Sequence, residues 1–207
     1  MRPRYGLWLA VVLILLASGA IRIPWAYGYG YGGKKDPVIQ AYKAINKALK
    51  ASPMRWNDVE KRFGKIRGVV AKMDSDYQAG LVGPMEAAIQ AGGEGTDQTR
   101  HAESLVDSFH RTFFFLIRHK LENAEALLQD FGKAKALVAS AKNYYAILAP
   151  VVKKGERAAD AEVRKAFGDA MKALGRPGAF GFGKKPPDPD RFRAAAGQID
   201  KILSERF

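Results

Sequence analysis

Cysteine is missing from all 207 residues of this chain. Its absence excludes disulfides, thiolate nucleophiles, iron–sulfur clusters, covalent c-type haem and the lipidated cysteine of an exported lipoprotein. Histidine is nearly as sparse, so imidazole chemistry must come from His101, His110 or His119. Acids are few as well: 21 against 34 lysines and arginines, a formal net charge of +13. No apolar run reaches the roughly 20 residues of a spanning helix. No segment alternates convincingly with the period of two that marks a half-buried strand. There is no G-x-S-x-G turn to present Ser104, Ser108 or Ser140 as a nucleophile. Asp74 and Asp76 lie beside a turn and need no catalytic reading, so an enzyme is not expected.

What is present is a globular composition, 47% apolar and 27% charged, with room for one domain of ordinary size. Arg2 and Arg4 precede an uncharged run from Leu7 to Ile21, and Ser18-Gly19-Ala20 closes it with small residues. A basic segment, a short apolar stretch and a small-residue exit predict a signal peptide over 1–20. The alternative is an uncleaved N-terminal anchor. Either way the body of the protein is expected outside the cytoplasm, in the periplasm or an equivalent extracytoplasmic space.

Two stretches spell G-x-x-x-x-G-K, from Gly28 to Lys34 and from Gly178 to Lys184. A phosphate-binding loop needs a buried strand before it and a Ser or Thr after the lysine. Neither copy has a strand signal, and the hydroxyl positions hold Lys35 and Lys185. Each copy instead runs into Asp-Pro, at Asp36-Pro37 and Asp188-Pro189, an N-cap followed by a first-turn proline. Residues 21–36 therefore read as a Gly/Tyr-rich basic linker, and 175–189 as a Gly/Pro-rich linker within a helical domain over 37–207. In the functional version of this reading, Tyr27, Tyr29 and Tyr31, or Phe180 and Phe182, stack on a partner beside the lysines.

From residue 37 onward the apolar period is helical. Val38, Tyr42, Ile45 and Leu49 mark a first helix. Ser52-Pro53 is expected to open a second, whose seam is Val59, Phe63, Ile66, Val70, Met73 and Tyr77. Gly83-Pro84 starts a short third element. A 3–4 alternation then runs from Val106 through His110, Phe113, Ile117, Lys120, Ala124, Leu127, Phe131, Ala134, Val138, Ala141 and Tyr145 to Leu148. One helix of that span would be too long for such a domain, so a break is expected at Asp130-Phe131-Gly132, and an end or kink at Pro150. Val163, Phe167, Ala170 and Leu174, then Phe192, Ala196, Ile199 and Leu203, mark two more helices. The expected fold is all-α, an antiparallel helical bundle.

The metal candidates are two local pairs. His119 and Glu122, and less strongly Asp107 and His110, stand three apart and share a helix face, as carboxylate–imidazole ligands in bundles do. A complete site needs ligands from a facing helix. His110 also lies on the apolar seam, where a hydrogen-bonded core histidine is the commoner role. Apart from such a metal ion, no cofactor is expected. Lys133, Lys135, Lys142, Lys153 and Lys154 form a solvated face suited to anionic envelope polymers, lipid headgroups or an acidic protein. No nucleic-acid motif accompanies them. Attachment to a membrane is expected only through an uncleaved anchor.

The segment LENAEALLQDFGKAKALVASAKNYYAILAPVVKK, from Leu121 to Lys154, with DAEVRKAFGDAMKAL from Asp160, resembles exported helical modules attached to, or encoded beside, bacterial high-affinity iron permeases. The likeness covers about a third of the chain and rests on helical composition. The permeases' R-E-x-x-E iron motif is absent. The resemblance implies an accessory, non-enzymatic role in metal uptake, binding an envelope partner, without placing a ligand. A metal- or small-ligand-binding extracytoplasmic protein is the alternative.

Overall fold

The computed structural model describes residues 36–207 apart from 96, 179–182 and 184. The expected signal peptide, all of the first linker except Asp36, and Phe180, Phe182 and Lys184 lie outside the described residues. Within them the chain forms eight α-helices and no strand. They are α1 (Pro37–Leu49), α2 (Trp56–Gly64), α3 (Arg67–Tyr77), α4 (Val82–Gly93), α5 (Gln98–Ala126), α6 (Phe131–Gly155), α7 (Arg157–Ala173) and α8 (Pro189–Ser204). None of these is long and apolar enough to cross a membrane.

Three helix starts follow from their caps. The Asp36 carboxylate accepts from the Val38 and Ile39 amides at 2.9 and 3.1 Å, and Pro37 occupies the first turn. Asp188 accepts from the Arg191 amide at 3.0 Å ahead of Pro189. Asp130 accepts from the Lys133 amide at 3.0 Å and opens α6, so the long seam breaks where Asp and Gly announce it. Pro150 does not end α6, which runs on to Gly155. The carbonyl deprived of its donor belongs to Ala146, an exposed residue.

The second helix departs from expectation. It opens at Trp56, not at Ser52-Pro53, and it is two helices rather than one. Past Gly64 the Ile66 amide bonds to Phe63, a three-residue step that tightens the turn and ends α2. The seam survives the break because Val59, Phe63, Ile66, Val70 and Met73 all bury into one core.

α5 runs through that core, packing on α6 along much of its length and also on α4 and α8. Leu105, Phe109, Phe113 and Ile117 are fully buried there, as are Val138, Tyr145 and Leu148 of α6, and the Phe113 ring meets Tyr144 at 5.8 Å between centroids. Each such side chain contributes about 1.5–3 kcal/mol by leaving water. The 175–189 connection is pinned at its base: Arg176 and Lys185 exchange backbone hydrogen bonds at 2.9 and 3.0 Å. Gly175 takes φ +75° there, and a Cβ on it would stand 2.2 Å from the Lys185 carbonyl oxygen.

Candidate functional site

α5 carries both predicted pairs and separates them. His119 and Glu122 face α3, where Tyr77 donates its hydroxyl to Glu122 and meets the edge of the His119 ring, 6.4 Å between centroids. Burial lowers the His119 pKa, reinforced by the charges of Lys120 and Lys72. Burial, then the hydrogen bond to Glu122, pushes the Tyr77 phenol well above its ordinary value. Beside them Arg118 grips Asp200 of α8 through two nitrogens, at 2.6 and 2.9 Å, while its guanidinium lies 4.8 Å from the Phe114 ring centroid. The cluster thus joins α3, α5 and α8 and holds a neutral imidazole, a phenol and a carboxylate close together.

The other pair is placed differently. His110 is buried, with Nε2 at 3.2 Å from the Tyr42 hydroxyl and the Phe207 ring packed edge-on at 6.2 Å. Asp107 lies 3.8 Å from Nδ1 and is 82% exposed, a weak contact. Burial lowers the His110 pKa, so the neutral ring is favoured. Among the described residues no three His, Cys, Asp or Glu side chains are grouped to hold a metal ion.

Two polar centres were not foreseen. The buried Asp160 accepts from Tyr145 at 2.7 Å and from Arg164 at 3.0 Å; Arg164 foremost holds its carboxyl below the usual range. Asp36 accepts from the Tyr144 hydroxyl at 2.7 Å while capping α1, and its charge opposes the fall that burial imposes on the Lys120 pKa. For Tyr145 the signal was available: a tyrosine on an apolar seam must find a partner for its hydroxyl. The partner's identity was not.

Two shallow cavities, about 410 and about 580 Å3, flank Trp56 between α2 and α4. The indole lies against Gly92, where a Cβ would meet the ring at 2.3 Å, and its buried N–H has no hydrogen-bond acceptor.

The strongest surface feature is α6. It holds Lys133, Lys135, Lys142, Lys153 and Lys154 and not one acidic residue over 25 positions. No family model matches the chain, and no curated protein or solved structure matches it significantly.

Proposed function

We propose that this chain is an exported, non-enzymatic helical module, built as an antiparallel bundle, that binds an envelope partner as an accessory to a metal-uptake system. The uptake role comes from the resemblance to modules associated with iron permeases. The observation that carries partner binding is the acid-free α6, a cationic face fixed on a packed core. Photo-crosslinkers at the exposed Ala139 and Ala146 of α6, and at Glu60 of α2, test it in the native host's envelope fraction. Adducts with an envelope component from both α6 positions and none from Glu60 are expected; α6 positions without adducts overturn the reading.

One observation favours a second reading, metal binding at His119 and Glu122. Burial keeps the imidazole in its ligating form, and the Tyr77 hydroxyl, which stays protonated, holds the Glu122 carboxylate in place by a hydrogen bond. Calorimetry with iron, copper and zinc against His119→Ala decides it. Binding lost in the variant supports a site, and equal heats remove it.

A further inference from the structure

Only α1 and α6 among the described helices contain no acidic residue. In α6 the lysines at 135, 142 and 153 recur after two and three turns, so they fall on one face. Exposed Ala139, Ala146 and Pro150 lie between them. None of the three lysines, nor Lys154, joins an ion pair with a described residue. From Lys135 to Lys153 the stripe is roughly 27 Å long, given 1.5 Å per residue. The short side chains between the lysines let the helix approach a flat surface closely.

A second observation sets the direction. Asp36, where the chain enters the body from the Leu7–Ile21 apolar run, is hydrogen-bonded to Tyr144 at the middle of α6. In the alternative where that run is kept as an anchor, the segment that meets the membrane joins the fold beside the acid-free helix. An acidic protein offers carboxylates at discrete points; a bilayer of anionic lipids offers negative charge at every position along the stripe.

We propose that α6 lies along the surface of an anionic lipid bilayer with the Lys135–Lys142–Lys153 face in the headgroup layer. This contact is additional to any N-terminal anchor, and it rests on the reading of α6 as the docking face. Each lysine near an anionic surface contributes about a fivefold factor in partitioning, so three give on the order of a hundredfold.

Because the chain has no cysteine, Ala146→Cys introduces a single thiol that can carry a nitroxide. The full-length protein is mixed with phosphatidylcholine vesicles, with and without phosphatidylglycerol. On the anionic vesicles the label at 146 is expected to become shielded from an aqueous relaxation agent, and a label at Glu60→Cys to stay accessible. Removing phosphatidylglycerol or adding high salt should reverse the shielding. Lys135→Gln, Lys142→Gln and Lys153→Gln together should weaken the anionic-lipid-dependent partitioning about a hundredfold. The control triple Lys61→Gln, Lys165→Gln and Lys201→Gln, with the same change in net charge, should weaken it less than about fivefold. Thermal melts establish that both triples fold.

Equal exposure of the two labels on anionic vesicles, or equal loss in the two triples, overturns the proposal. Capture through the N-terminal run alone gives that equal exposure. If vesicles leave α6 exposed while Ala139 and Ala146 crosslink to an envelope protein, the lipid contact falls and the docking reading stands. If α6 yields neither, both fall.

Discussion

Among the described residues four tyrosines make polar joints: Tyr42 with His110, Tyr77 with Glu122, Tyr144 with Asp36 and Tyr145 with Asp160. Each puts a ring among apolar neighbours and reaches a titratable group with its hydroxyl. The two histidines so enclosed have a consequence for stability. Burial depresses the pKa of both below the ordinary 6.5. The unfolded chain therefore binds protons before the folded one does, and stability present above about pH 6.5 is lost as pH falls through that value toward the folded pKa. Melting temperature should decline from pH 7 to 5, and the double variant His110→Gln, His119→Gln should flatten the decline. An unchanged slope would mean that neither ring resists protonation in the fold. Asp160 and Asp74, whose pKa values are lowered, act in a different window, withdrawing stability only as pH falls below the ordinary carboxylate range.

Among the helices, two glycines of the same type have opposite expected effects. Gly92 in α4 is a seat for Trp56: an added methyl would sit 2.3–2.5 Å from three ring atoms. Gly92→Ala should cost about 1–3 kcal/mol through overpacking. Gly168 lies inside α7 with nothing within 4 Å of an added Cβ. There alanine should stabilise by about 0.5–1 kcal/mol, since glycine holds no compensating contact. Paired denaturant titrations check both signs. Helix starts were legible wherever a side chain makes the cap, at Asp36, Asp130 and Asp188. One uncapped start was misread: α2 opens after Arg55 with no side-chain cap bond, and Ser52-Pro53 imitates a start four residues early. That the chain breaks past Gly64 depends on the turn its neighbours can make, which the apolar period conceals because Ile66 is buried either way.

For the molecule as a whole, an apolar period near 3.6 over most of the body was enough to give an all-helical fold, which the described residues have. The candidate site was less open to such reading. His119 and Glu122 share a face by arithmetic, but Tyr77 reaches them from 45 residues away, a relation that no local spacing encodes. The lack of acids in α6 was readable from composition; that Lys135, Lys142, Lys153 and Lys154 form no ion pair with a described residue was not. Export is the proposal on which location depends. Protein recovered from its native host should begin near Ile21, and Edman sequencing of that material checks the start. An intact Met1 in a soluble cytoplasmic fraction would remove both the export and the envelope partner.

The bond between Tyr144 and Asp36 also has a mechanical meaning. α1 packs chiefly on α2 and touches α5 little, so a pull on its leading end alone would peel it away one turn at a time. Asp36 stands at that leading end, holding the first amides of α1 with one oxygen and the Tyr144 hydroxyl with the other. A chain tethered to a moving membrane through its N-terminus would pass tension into the middle of a 25-residue helix seated on the core. In a chain that kept its N-terminal run as an anchor, a pull would therefore reach α6 through Tyr144 as well as α1.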